Sequence, residues 1–174
     1  MVRRSSRRIH IGPVPIGGGA PIAVQSMTCT DTRDVQATVA QIKDLEAVGC
    51  EIIRVAVPNR AAALALPAIK QAIGIPLVAD IHFDYRLALL ALEGGADALR
   101  LNPGNIRHQE HVQAVVSAAK ERSVPIRIGV NAGSLPPPES PQEAAKSVSE
   151  RMVDLALGQV RLLESLGFDL IKVS

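Results

Sequence analysis

Residues 76–101 read PLVADIHFDYRLALLALEGGADALRL, and this stretch decides the fold class. It begins with a short apolar run over residues 76–80, which is typical of a buried strand. A helical pattern follows over residues 85–93 and ends at a pair of glycines, and a second apolar run occupies residues 98–101. A strand, a helix and a strand of these lengths predict a βαβ unit, in which the helix carries the chain back so that the two strands pair in parallel.

The same unit recurs along the chain. Predicted strands begin near residues 22, 52, 77, 98, 126 and 169. The helices between them are predicted over residues 34–48, 60–73, 85–93, 108–122 and 142–166. Pro67 is expected to kink or split the second helix, and the last helical region is expected to contain a break. This alternation predicts an α/β protein with a parallel sheet, either a (β/α)8 TIM-type barrel or a doubly wound open sheet.

The number of units is smaller than a full barrel needs. A complete (β/α)8 barrel takes about 250 residues, whereas this chain has 174 residues and about six predicted strands. We therefore expect residues 21–174 to form an incomplete TIM barrel, entered through a basic N-terminal segment over residues 1–20. The arginines of that segment are expected to form a solvated tail; they are Arg3, Arg4, Arg7 and Arg8.

The composition excludes several classes of protein. Apolar residues make up 47% of the chain, enough for a buried core, and the net charge of +2 is too small to predict a nucleic-acid or membrane partner. The aromatic content of 2% argues against a base-stacking surface. No stretch approaches the roughly 18 apolar residues of a membrane span, and a soluble cytoplasmic protein is expected. Cys29 and Cys50 match no metal-ligand spacing and are expected to be free thiols.

Polar side chains lie in or just after most of the predicted strands, where parallel α/β proteins build their sites. The candidates, in chain order, are Arg54, Asp80, His82, Arg100, Asn102, Arg127, Asn131 and Lys172. Four cations from four strands predict an anionic substrate with more than one negative group, most simply a diphosphate, because arginine binds phosphate oxygens bidentately. The alternative is that each cation is paired with a carboxylate, for which the candidates are Asp80, Asp84, Asp97 and Asp169.

The Asp80-x-His82 pair has two further interpretations. Both side chains face the same way, as metal ligands would, but one carboxylate and one imidazole are too few for a closed metal site, and no metal site is predicted. An ion pair of Asp80 with a neighbouring arginine, and His82 as a proton or hydrogen-bond donor, fits better. The loop over residues 133–141 is rich in proline and resembles a mobile or capping loop.

Three sequence blocks carry a family resemblance. They are ADIHFDYR over residues 79–86, RLNPGN over residues 100–105 and RIGVNAGS over residues 127–134, preceded by VPIG at residues 14–17 and AVQSMT at residues 23–28. In these blocks the chain resembles the 4-hydroxy-3-methylbut-2-enyl diphosphate synthase family, of the methylerythritol phosphate route to isoprenoids. The resemblance runs from about residue 8 to Ser174.

The resemblance implies an N-terminal (β/α)8 barrel and an oxidoreductase. The family opens the ring of 2-C-methyl-D-erythritol 2,4-cyclodiphosphate reductively and removes a hydroxyl group. A [4Fe-4S] cluster of the enzyme delivers the two electrons, which ferredoxin or flavodoxin supplies. The enzyme works as a homodimer. The resemblance also implies roles for residues of this chain: Arg54, Arg100, Arg127 and Lys172 hold the diphosphate, Asn102 and Asn131 help to orient it, and Asp80 and His82 line the same mouth as the catalytic candidates.

The chain departs from the family in one respect. Family members hold the cluster through three cysteines and a glutamate of a C-terminal domain, and no such pattern occurs in these 174 residues. The chain is therefore expected to be the substrate-binding barrel portion, inactive alone, with the cluster ligands elsewhere. The alternatives are another phosphate-substrate or metal-dependent TIM-barrel enzyme, or a non-catalytic truncated domain.

Overall fold

Six parallel strands curl into a half-barrel in the computed structural model, which describes residues 5–102, 106 and 108–174. A two-stranded hairpin precedes them. The strands are β1 (Ile9–Ile11), β2 (Val14–Ile16), β3 (Gln25–Met27), β4 (Ile52–Ala56), β5 (Leu77–Ile81), β6 (Ala98–Leu101), β7 (Ile126–Ile128) and β8 (Ile171–Val173). In the main sheet, β3 to β8 follow one another in chain order. A doubly wound sheet reverses its strand order, whereas a barrel wall does not, so the barrel prediction is confirmed.

Helices cover the outer face of the half-barrel. They are α1 (Val35–Ala47), α2 (Arg60–Ala72), α3 (Tyr85–Glu93), α4 (Gln109–Glu121), α5 (Pro141–Ala144) and α6 (Val148–Ser165), with a 3-10 turn at Ala132–Ser134. The core between helices and strands is almost entirely aliphatic, as the composition predicted. Within the described residues, no helix has the length and apolar character that crossing a membrane would require.

Local signals set most of the helix ends. The side chain of Asp34 accepts a hydrogen bond from the backbone N–H of Ala37 and starts α1, and Gly49 follows the helix with a φ of +92°. The predicted break in the last helical region is confirmed between α5 and α6, where Ser147 and Glu150 form a capping box.

Pro67 does not split α2, and the expected kink stays a prediction. Pro67 lies inside a helix that runs unbroken from Arg60 to Ala72. Proline removes one helical hydrogen bond, but burial of Leu66 and Ile69 against the sheet holds the flanking turns in place. The proline ring also has space because its neighbour Gly94 lacks a side chain. A Cβ on Gly94 would lie only 3.3 Å from Pro67 Cδ.

The N-terminal hairpin was not predicted from the sequence. Strands β1 and β2 pair antiparallel through a turn at Gly12-Pro13, and Gly12 has a φ of +54°. Ile11 packs inside the half-barrel against Ile52, Val78 and Ala98, and so the hairpin closes the end of the barrel opposite the strand C-termini.

Over residues 5–8 the basic segment is exposed, as expected of a solvated tail, and its two described arginines also contact other residues. Arg7 pairs with Asp169, and Arg8 Nη2 donates to the carbonyl of Gly18 at 2.9 Å. Arg3 and Arg4 lie outside the described residues.

Candidate functional site

The inner face of the sheet carries a row of charged side chains. Asp80 of β5 lies opposite Arg100 of β6, Arg100 opposite Arg127 of β7, and Arg127 opposite Lys172 of β8. Residues directly opposite one another on paired strands point to the same face. Strand register therefore brings together four of the predicted residues from four separate segments.

The row leads to a cleft of about 450 Å³ at the C-terminal ends of the strands. The cleft is lined by Met27, Arg54, Asp80, His82, Arg100, Arg127, Gly129, Val130, Asn131 and Ser174. Six of the eight predicted site residues are among them. Asn102 and Lys172 are not.

Asp80 is the centre of the charge network. Its carboxylate is 2% exposed and accepts a hydrogen bond from Arg100 Nη1 at 3.1 Å. Arg54 Nε lies 3.5 Å from the other carboxylate oxygen, and His82 Nε2 lies 3.4 Å from the first. The alternative of carboxylate pairing thus holds for Arg54 and Arg100, which share one carboxylate. One negative charge cannot neutralise both guanidinium groups.

Arg100 is held from several sides and is only 6% exposed. Besides Asp80, its Nη2 lies 3.5 Å from the carbonyl oxygen of Gly129. In the amide orientation that satisfies both of its polar atoms, Asn131 accepts from Arg100 Nη2 at 3.1 Å and donates to the carbonyl of Val130. The guanidinium is thereby fixed at the floor of the cleft, against the backbone after β7.

Arg127 and Lys172 make no ion pair with a carboxylate of the described residues. Arg127 Nε donates to Ser174 Oγ at 2.8 Å. Burial lowers the pKa of Arg127, and the neighbouring Arg54 and Arg100 lower it further, against an opposing effect of Asp80. Burial likewise lowers the pKa of Lys172, with added repulsion from Arg127 and Arg54. A bound anion would stabilise the charged form of both groups.

Lys172 lies deeper than predicted. It lines two smaller cavities beside the cleft, one reaching the N-terminal hairpin at Ile9 and Ile11 and the other bounded by residues 16–23. Arg127 lies opposite Lys172 on the neighbouring strand, and it lines both the cleft and the first of these cavities. Lys172 therefore lies next to Arg127 beneath the cleft and does not line the cleft itself.

Asn102 is buried beside the loop that follows β7. Its side-chain oxygen accepts a hydrogen bond from Ser134 Oγ at 3.3 Å, and it borders an apolar cavity between sheet and helices. The loop is tied again where Arg151 of α6 donates to the carbonyl of Pro136. Asn102 thus anchors the loop over residues 133–141 at its first turn.

Four residues that line the cleft are not among the eight predicted site residues, and two of them, Met27 and Gly129, shape it directly. Met27 ends β3 directly opposite Arg54, and its sulfur accepts from Arg54 Nε at 3.1 Å and Nη2 at 3.0 Å. The position of Met27 at a strand end was a usable signal. The role of Gly129 depends on space around its Cα, which the sequence does not reveal.

The two cysteines lie in different environments. Cys29 is exposed and Cys50 is buried, and both are free. The described part of the chain contains no group of three His, Cys, Asp or Glu side chains that could hold a metal ion. A [4Fe-4S] cluster takes four ligands, mostly thiolates, so the described residues do not fit one.

Comparison with known proteins places the chain in a family. The model of the GcpE TIM-barrel domain matches residues 6–174. The chain belongs to this family. Proteins from Dehalococcoides mccartyi and Geobacter sulfurreducens, both named 4-hydroxy-3-methylbut-2-en-1-yl diphosphate synthase (flavodoxin), are 58% and 59% identical to it over 177 and 173 residues. The matches cover 100% and 99% of this chain but 49% of each relative, so the chain spans about half their length.

The half-barrel of this GcpE domain also resembles solved structures. The 7,8-dihydropteroate synthase of Vibrio fischeri superposes with a TM-score of 0.66 and 12% identity, over 97% of this chain and 66% of that one. At that identity the likeness shows a shared fold alone.

The sequence blocks that carried the resemblance surround the cleft in this GcpE domain. The block at 79–86 supplies Asp80 and His82, and the block at 127–134 supplies Arg127 and the turn that follows. The block at 100–105 supplies Arg100, while its residues 103–105 lie outside the described residues.

Proposed function

We propose that this barrel domain binds 2-C-methyl-D-erythritol 2,4-cyclodiphosphate as the substrate-binding part of a 4-hydroxy-3-methylbut-2-en-1-yl diphosphate synthase. The names of the two relatives support this activity. The observation that carries the proposal is the excess of positive charge in and beneath the cleft.

The charge excess suits a diphosphate. Four cations, Arg54, Arg100, Arg127 and Lys172, face one carboxylate, Asp80, in the described part of the cleft and its floor. Three positive charges therefore remain without a counterion among the described residues. Keeping unpaired cations half-buried costs free energy, and a bound dianion removes that cost by pairing with them. A neutral or cationic substrate would leave it in place.

The four cations divide into two roles. Arg54 and Arg100 share the carboxylate of Asp80, and the three side chains together keep a net positive charge. Arg127 and Lys172 have no carboxylate partner in the part of the chain that the structure describes, and they would make the strongest contacts with the phosphate oxygens. Arg127 donates through Nε to Ser174, and its two terminal nitrogens make no hydrogen bond to the described residues, so they are available for bidentate binding.

His82 is the group best placed to deliver a proton. Its side chain is 45% exposed at the mouth of the cleft, while its Nε2 also contacts Asp80. The overall change consumes two electrons and two protons. The carbon–oxygen bond to the ring phosphate breaks, and a carbon–carbon double bond forms as the neighbouring hydroxyl group leaves. One proton leaves with that hydroxyl group as water, and the other is taken up by the freed phosphate oxygen. A protonated imidazole beside the leaving oxygen would supply one of those protons, and Asp80 would keep the imidazole oriented.

The electrons enter from outside this barrel. The relatives' names indicate flavodoxin as the donor, with ferredoxin as the other candidate. Since the described residues do not fit a [4Fe-4S] cluster, the cluster ligands would come from another part of the polypeptide. A homodimer is the assembly that the family resemblance implies.

Calorimetric titration with the cyclodiphosphate tests the proposal on the product of the complete reading frame. We expect binding, and we expect Arg127→Gln to raise the Kd at least tenfold, because a charge-assisted hydrogen bond contributes about 1.5–3 kcal/mol. Arg33→Gln is the matched control, since Arg33 is exposed and bonds only to Asp31 among the described residues. Circular dichroism verifies that each variant folds. Absence of binding by the folded wild-type protein would overturn the proposal.

A further inference from the structure

Gly129 occupies a position where space, and not backbone conformation, calls for glycine. It follows β7, and it is not one of the glycines with a positive φ. A Cβ built on its backbone would overlap Arg100 Nε and lie 2.8 Å from Nη2 and 3.0 Å from Cζ. Real Cβ atoms do not approach other atoms this closely, so an alanine at this position must displace the guanidinium.

The guanidinium of Arg100 cannot move away from Gly129 without losing its hydrogen bonds. Its guanidinium is fixed between Asp80 at 3.1 Å and Asn131 at 3.1 Å, and it is 6% exposed. The planar fork has a fixed geometry, so a shift away from Gly129 changes both ends of the network at once. The open direction is the cleft itself, where a displaced guanidinium would take up substrate space.

We propose that Gly129 is a positioning residue for the diphosphate site. By lacking a side chain, it lets the guanidinium of Arg100 lie against the backbone after β7, in contact with Asp80, and leaves the cleft above open for phosphate oxygens. This inference rests on the proposed function for its ligand. The contact between Gly129 and Arg100 is an observation independent of that ligand.

The first test is a matched pair of glycine substitutions. Gly129→Ala is expected to raise the Kd for 2-C-methyl-D-erythritol 2,4-cyclodiphosphate at least tenfold in the product of the complete reading frame. Gly158→Ala is the control, because Gly158 is exposed on α6 and a Cβ there meets no atom within 4 Å. An unchanged Kd in Gly129→Ala would overturn the inference, provided that the wild-type protein binds.

A double-mutant cycle separates positioning from a general structural role. If Gly129 acts through Arg100, then Gly129→Ala has no further effect on the Kd or on the melting temperature once Arg100→Ala is present. Additive effects would overturn the inference. If Gly129→Ala alone does not fold, the double variant should fold, because the clashing side chain is gone; a double variant that also fails would count against us.

The outcomes for the two proposals are distinguishable. If the folded wild-type protein does not bind the cyclodiphosphate, the proposed function fails. The coupling between Gly129 and Arg100 is then read from melting temperatures alone. Coupling there sustains the positioning role, and its absence refutes it.

Discussion

Replacement of Asp80 by asparagine is expected to lower the melting temperature by about 6–12 °C. Asp80 is the carboxylate shared by Arg54 and Arg100, and Arg100 is nearly buried. Removing one member of a buried ion pair costs about 3–5 kcal/mol, because the remaining charge is left without a partner. We take the lower end, about 3 kcal/mol, since Arg54 keeps contact with water at 23% exposure and the amide oxygen still accepts a hydrogen bond. In a protein of this size each kcal/mol shifts the melting temperature by about 2–4 °C.

Differential scanning calorimetry measures this change, with Asp154→Asn as the control. Asp154 is an exposed carboxylate paired with Lys146 at 2.6 Å, and exposed pairs contribute little. The control should therefore melt like the wild-type protein. A decrease below 2 °C in Asp80→Asn would refute the idea that this carboxylate neutralises the buried guanidinium.

The same variant links stability to ligand binding. In Asp80→Asn the four cations of the cleft and its floor face no carboxylate among the described residues, so a bound dianion compensates for more charge than it does in the wild-type protein. Saturating cyclodiphosphate should raise the melting temperature of the variant by more than that of the wild-type protein. An equal or smaller increase would show that the ligand does not pair with these cations.

Two further predictions concern Arg100 and Lys172. Arg100→Lys should raise the Kd for the cyclodiphosphate about tenfold, because an ammonium group cannot reproduce the planar fork between Asp80 and Asn131; a wild-type Kd in calorimetry would contradict this. In the folded protein the pKa of Lys172 lies below its ordinary value of 10.5. Between the folded pKa and 10.5, the unfolded chain therefore binds more protons than the folded one. The free energy of unfolding attributable to this group should rise with pH in that window, while diphosphate affinity falls. Lys172→Arg should abolish the loss of affinity, and titrations over this pH range that show the same loss in both proteins would exclude Lys172 as its source.

Elements marked by strong local signals were predictable from the sequence. Helix α3 and strand β6 have the predicted bounds, because Asp84 caps the helix and Gly94-Gly95 ends it. The hairpin at Ile9–Ile11 and Val14–Ile16 was missed since its strands are three residues long and surrounded by glycine, proline and arginine. Such short strands form only because the barrel interior buries their isoleucines, and that burial is a long-range effect.

The candidate site was predictable as a set of residues but not as a network. Spacing of two along a strand put Asp80 and His82 on one face, and the cations at successive strands indicated an anion site. Neither consideration showed that Arg54 and Arg100 share Asp80, or that Asn102 points to Ser134 instead of the cleft. Those contacts depend on the register between strands far apart in sequence.

The sequence by itself determined the α/β class, the order of strands and helices, and the chemistry of the groups that could bind an anion. Apolar periodicity and residue type are local properties of the chain, and they suffice for these conclusions. Only the tertiary structure decided which cations are neutralised. Distances of a few ångströms between separate strands decide that Arg100 pairs with Asp80 and that Gly129 must lack a side chain. They also decide that Arg127 and Lys172 have no carboxylate partner among the described residues. Electrostatic and packing energies vary steeply over such distances, and residue order along the chain does not specify them.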